Sequence, residues 1–163
     1  MALIPPVSGG TADRPVVARV CTEAIETDHV RRLVAGDRRT GAVVTFEGTT
    51  RGETDPVHGP LIRLEYEAYA SMAERELARL AEEAAARWSP IRIAVTHRVG
   101  AIPVGEVSVV IAVAAAHRGQ AFEACRWLID AVKKEVPIWK KDVFEDGHVR
   151  WVQTEVTSVK RVP

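Results

Sequence analysis

The sequence predicts an α+β fold, and three observations carry that expectation. Two long segments, 71–88 and 118–135, place apolar residues at helical spacing. Several shorter runs are rich in β-branched residues or alternate apolar with polar side chains. Turn formers join many of these runs directly, so helices are interspersed among mostly antiparallel strands. The 163 residues suit one domain, and a hydrophobic share of 47% is enough to fill its core. We place that domain at 16–153, between a Pro- and Gly-rich tail at 1–15 and a short tail at 154–163.

Residues 16–25 read as a strand. Thr27 or Asp28 can cap a short helix carrying Val30, Leu33 and Val34, which ends at Gly36. Residues 41–50 form a β-branched strand with Arg51 at its end. Residues 52–60 are a polar run of turn formers, expected to be a mobile loop that orders on binding. Residues 61–69 alternate with Ile62, Leu64, Tyr66 and Ala68 inward, and Leu61 breaks the pattern. This half-buried strand is expected to pair antiparallel with 41–50.

Ser71 and Glu74 have capping-box spacing ahead of a helix with Leu77, Leu80, Ala84 and Trp88 on one stripe. Ser89-Pro90 ends it, and 91–99 reads as a strand. Gly100 and Gly105 bracket a short connection. Residues 107–116 are apolar on both faces, as a central strand is. A helix then starts near Arg118, with Phe122, Cys125, Leu128, Ile129 and Val132 at helical spacing. Pro137 stops it, having no N–H to donate. Residues 138–144 and 149–152 flank the Asp146-Gly147 turn as a strand pair.

The 22 basic residues balance the 22 acidic ones, so no global field favours nucleic acid or an anionic membrane. No apolar run approaches the ~20 residues of a membrane span, and no signal-peptide layout opens the chain. Cys21 and Cys125 have no metal-binding or CxxC spacing. These features lead us to expect a cytoplasmic protein without a metal or other cofactor. Walker, HExxH and GxSxG patterns do not occur.

What remains is local clustering of cations. His117-Arg118 leaves a buried strand and enters a helix, where free N–H groups and a fork of guanidinium donors suit an anion. Lys133 and Lys134 close the same helix, a position that its dipole alone would favour. Lys140 follows Trp139, whose indole could wall a pocket for it. We expect these late lysines to close over the pocket at His117-Arg118. His97-Arg98 also ends a strand but leads into no helix, so it reads as structural. Cys125 lies on an apolar stripe and reads as a buried structural thiol.

Gly41-Ala-Val-Val-Thr-Phe-Glu-Gly-Thr-Thr-Arg51, Leu64-Glu-Tyr-Glu-Ala-Tyr69, His97-Arg-Val-Gly100, Gly105-Glu106, Ala116-His-Arg118, Ala121-Phe-Glu-Ala124 and Pro137-Ile-Trp-Lys-Lys141 follow in this order. The series closely resembles the large, catalytic subunits of molybdopterin synthase, over roughly 16–152. The resemblance implies an α/β-hammerhead with additional antiparallel strands. It implies a homodimer within a heterotetramer, partnered by a small ubiquitin-like sulfur carrier that ends in a Gly-Gly thiocarboxylate. The implied reaction moves two sulfurs to cyclic pyranopterin monophosphate and makes the molybdopterin dithiolene. A non-catalytic partner of such a carrier is the alternative. The implied catalytic residues are Lys133 and Lys140. The implied binding positions are Thr49, Thr50, Arg51, His117, Arg118, Lys133, Lys140, Lys141 and Asp142.

Overall fold

The computed structural model describes residues 15–152. The expected tail residues 1–14 and everything from 153 onward lie outside the described residues. The elements run β1 (Val16–Cys21), α1 (Thr27–Val34), β2 (Ala42–Thr49), β3 (Thr54–Asp55), β4 (Gly59–Ala68) and α2 (Ala70–Trp88). Then follow β5 (Arg92–Arg98), β6 (Gly100–Pro103), β7 (Val107–Ala115), α3 (Arg118–Glu135), β8 (Ile138–Phe144) and β9 (Val149–Val152).

Two sheets result. The first has the order β1-β5-β7-β2; β1 is parallel to β5 and the other pairings are antiparallel. The second has the order β3-β4-β8-β9, all antiparallel, with β6 also paired to β4. This is an α+β fold of hammerhead-like topology.

The strand β7 is central because both of its faces are apolar. Val109, Ile111, Val113 and Ala115 pack under α2 and α3, against Leu77, Leu80 and Leu128. Val110, Ala112 and Ala114 face the other way and meet Val30 and Val34 of α1. Each fully buried leucine of this core contributes about 2 kcal/mol of burial free energy. A smaller core of Leu61, Leu64 and Phe144 holds the second sheet.

Several expectations are corrected. The strand β4 pairs with β8 and not with β2, because β7 lies along β2 from Ala42↔Ala115 to Thr49↔Val107 and fills its inner edge. A register shift between Leu61 and Arg63 turns Leu61 inward and Ile62 outward, which explains the broken alternation. The loop 52–60 is a small hairpin. Its β3 pairs with the start of β4, and the Asp55 carboxylate accepts from the Val57 and His58 amides at 2.9 and 3.1 Å.

The connection after Gly100 is strand β6. Neither helix cap predicted from sequence forms: Glu26 precedes α1 and Tyr69 precedes α2, both without a side-chain capping bond. Glu74 instead accepts the Val20 amide of β1 at 2.9 Å. Phe122 is 61% exposed, because α3 begins its buried face on Ala121 and Ala124, which let it sit close to the sheet.

Candidate functional site

Where the two sheets meet, a cavity of about 950 Å³ opens beside the end of α3. Its floor is made by the ends of three strands of the first sheet. Phe46 and Gly48 come from β2, Ser108 and Val109 from β7, and His97 from β5. Gly48 is required there, since a Cβ would lie 2.7 Å from Cγ1 of Val109. One wall is the last turn of α3 with Ile129, Val132, Lys133 and Val136. The opposite wall is β4 and β8, through Leu64, Tyr66, Lys140 and Asp142. Thr49, Arg51 and Glu53 stand at the mouth.

Local chain geometry aims the two lysines. Lys133 follows Ile129 by four residues, so both face the cavity from one side of α3. Pro137 stops the helix and β8 begins at Ile138. Strand alternation then sends Ile138, Lys140 and Asp142 inward, and Trp139 and Lys141 to the other face. The expected indole wall for Lys140 is therefore not there. Trp139 meets Tyr69 edge-on at 6.3 Å, while Lys141 pairs with Glu67 and lies over the Trp151 ring at 4.4 Å.

The charges form a connected set. Lys140 Nζ lies 3.9 Å from Asp142, whose nearly buried carboxylate accepts from Arg150 at 2.8 Å. Arg150 also reaches Asp55 at 3.1 Å and Glu53 at 3.3 Å, and Glu53 lies 4.0 Å from the largely exposed Arg51. Lys133 makes no ion pair among the described residues. It is therefore available to an incoming anion. Burial pushes the Tyr66 hydroxyl above its usual value, the Ser108 hydroxyl opposes this, and the Asp142 carboxylate adds to it. Burial pulls the His97 imidazole down to about 4, so it is neutral near pH 7. Cys125 is 4% exposed, and burial pushes its thiol up to about 11, which leaves no thiolate for chemistry.

Of the positions singled out from sequence, Thr49, Arg51, Lys133, Lys140 and Asp142 line this one cavity. Thr50 does not. It is buried, and its hydroxyl, amide and carbonyl tie β2 to the β6–β7 corner through Ile102, Glu106 and Gly105. Lys141 lies on the far face of β8. His117 and Arg118 line a separate shallow hollow with Gly41, Ala116 and Gly119, at the other end of β7. Fifteen residues of α3 separate Arg118 from Lys133, about 22 Å at 1.5 Å per residue. The single pocket expected to hold all these cations is thus two hollows within one chain.

Sequence reasoning missed His97, Tyr66, Ser108, Glu53 and Arg150. Only the inward alternation of Tyr66 was readable. From sequence the His97-Arg98 pair reads as structural, and that fits Arg98, which clamps Thr22, Ala101 and Glu106 at the sheet corner.

Comparison with known proteins adds the following. A model of the MoaE protein family matches residues 20–135. A relative from Oryza sativa subsp. indica, named molybdopterin synthase catalytic subunit, is 53% identical over 123 residues, which is 75% of this chain and 60% of that one. A protein of the same name from Thermoplasma volcanium is 50% identical over 111 residues, 68% of this chain and 80% of that one. The chain thus spans well under two thirds of the rice relative's length. A crystal structure of molybdopterin synthase from Staphylococcus aureus superposes with a TM-score of 0.78 at 35% identity, covering 83% of this chain and 96% of that one.

Proposed function

The chain belongs to the MoaE protein family, and from that premise we propose that it is the catalytic subunit of a molybdopterin synthase. Its substrate is cyclic pyranopterin monophosphate, and its sulfur comes from the C-terminal thiocarboxylate of a small ubiquitin-like carrier. The observation that carries this reading is the convergence of Lys133, Lys140 and Arg51 on one cavity from three different elements. Two anionic reactants meet only where cations offset their repulsion, and a half-enclosed cavity strengthens that attraction.

In this reading the thiocarboxylate sulfur adds to an electrophilic carbon of the substrate. The C–S bond replaces that carbon's bond to oxygen, the oxygen leaving as water or as the phosphate-ester oxygen. Water then cleaves the resulting thioester, which leaves sulfur on the pterin and a carboxylate on the carrier. A second carrier repeats the sequence to complete the dithiolene. Lys133 and Lys140 stabilise the oxyanion of the tetrahedral adduct and the departing carboxylate. Asp142, shared between Arg150 and Lys140, holds the Lys140 ammonium at the wall. Arg51 meets the anionic tail or the phosphate at the mouth.

His117 and Arg118 enter this scheme from a second subunit. The strand β2 is the outer edge of its sheet and runs from Gly41, beside His117, to Thr49 at the cavity mouth. A two-fold partner lying antiparallel along that edge would carry its own His117-Arg118 turn to this chain's cavity. Val43, 40% exposed on β2, supports such a contact, as does the absence of proline and lysine along the strand.

The test is direct. The purified chain, a thiocarboxylated carrier and the cyclic precursor are mixed, and the dithiolene product is detected by mass. Product is expected from the wild type and none from Lys133→Ala, whose exposed helix-end position leaves the fold intact. A wild type that forms no dithiolene, or an active Lys133→Ala, overturns the proposal.

A further inference from the structure

We infer that the cavity floor is a subsite for the flat, uncharged nitrogen heterocycle of the substrate, read by His97, Ser108 and Tyr66. The inference rests on the function proposed above and specifies where one portion of that substrate sits.

His97 is 7% exposed yet lines the cavity. Its Nδ1 lies 2.8 Å from the Arg98 carbonyl oxygen. A carbonyl only accepts, so Nδ1 carries the proton and Nε2 is left as a lone-pair acceptor. Nε2 has no partner among the described residues, nor is it sealed away from the cavity. An acceptor that opens only onto the cavity takes its hydrogen bond from water or from a donor of whatever ligand enters there. Burial keeps the ring neutral near pH 7, so this acceptor does not turn into a cation.

Ser108 points the same way. Its hydroxyl donates to the Gly48 carbonyl at 3.1 Å, so its remaining lone pairs accept. Tyr66 stands edge-on to the His97 ring at 5.2 Å, with its hydroxyl beside that of Ser108. Phe46 and Val109 supply apolar surface around these groups. The cations stand apart, on the walls and at the mouth.

The division sorts the substrate. An anion is drawn to Lys133, Lys140 and Arg51 and is disfavoured against the lone pairs of the floor. A ring edge bearing amino and N–H donors, as a reduced pterin has, matches those lone pairs. The ring therefore goes in first and the phosphate stays outward.

The probe is 6-hydroxymethyltetrahydropterin, which lacks the phosphate, used as a competitive inhibitor of the dithiolene assay and in calorimetric titration. His97→Phe is expected to weaken the pterin about tenfold or more, the effect of leaving a buried donor unpaired. The same variant should raise KM for the precursor in like measure, with kcat much less affected, and should bind inorganic pyrophosphate as the wild type does. His97→Gln, which restores an acceptor, should recover part of the loss. Should His97→Phe fail to fold, Ser108→Ala carries the same test, with an expected loss of about threefold. Unchanged pterin inhibition in these variants, equal loss of pterin and pyrophosphate, or an active wild type that the free pterin does not inhibit would overturn the subsite alone. A wild type that makes no dithiolene overturns the functional reading and the subsite with it.

Discussion

Buried in the floor of the cavity, the His97 imidazole makes stability depend on pH in a defined direction. Its folded pKa is about 4, against the ordinary value of 6.5. Between these values the unfolded chain binds a proton that the folded chain refuses. Stability therefore falls as pH drops from about 6.5 to about 4 and is fully retained above that window. At about 1.4 kcal/mol per pH unit the total is about 3–4 kcal/mol. Urea melts of the wild type and His97→Phe from pH 7 to pH 4 measure it as a difference. That difference cancels Asp55 and Asp146, whose carboxyls are held low chiefly by the backbone amides of Val57 and His148. A wild type and a variant that weaken in parallel would show that His97 is not the source. The contrast with the lysines is instructive. Lys133 and Lys140 were legible as cations beside a helix end and a proline break, although the indole wall expected for Lys140 lies on the other face of β8. His97 was not, since its depth and its free ring nitrogen depend on strands far apart in sequence.

The first turn of α2 shows how an element can be right while its supposed cause is wrong. The helix runs Ala70–Trp88, much as the apolar stripe predicts, but its Ser71–Glu74 capping box does not form. Glu74 turns to β1, an outer strand of the first sheet, and accepts the Val20 amide. Removing it leaves a strand N–H without a partner. Glu74→Ala should cost about 1–2 kcal/mol, whereas Ser71→Ala should stay within about 0.5 kcal/mol. Chemical denaturation of both variants checks this, and equal losses would restore the capping box. Periodicity made the helices and most strands legible, because it reports burial of one face. Pairing partners were hidden. Nothing in 61–69 says that its hydrogen bonds go to β8 and β6, because β2 and β4 are neighbours in sequence and only the packing of β7 against β2 sends β4 elsewhere. The brief β3 and β6 were lost for a further reason: they lie in Gly- and Pro-rich stretches that read locally as turns.

At the scale of the whole molecule, the two cationic hollows pose the sharpest question. One chain sets His117 and Arg118 at one end of β7 and Lys133 at the other, so a single subunit cannot bring them onto one small substrate. A two-fold assembly can, and it makes a prediction that no monomeric site shares. Arg118→Ala and Lys133→Ala should each be inactive alone. Unfolded together and refolded as a mixture, half of the dimers contain one chain of each kind. In such a dimer one cavity carries both defects and the other carries neither. Random pairing therefore returns about a quarter of the wild-type activity. If each site were built from one chain, every site in the mixture would keep one defect and no activity would return. The same mixture made from Lys133→Ala and Lys140→Ala, two residues of one cavity, should stay inactive. Recovery in the first mixture with silence in the second assigns the anion-holding turn to the neighbouring subunit and both lysines to one chain. Silence in both, with dimers present in each, would show that no site draws its Arg118 from the neighbouring chain, and an active Arg118→Ala would leave that residue outside the site altogether.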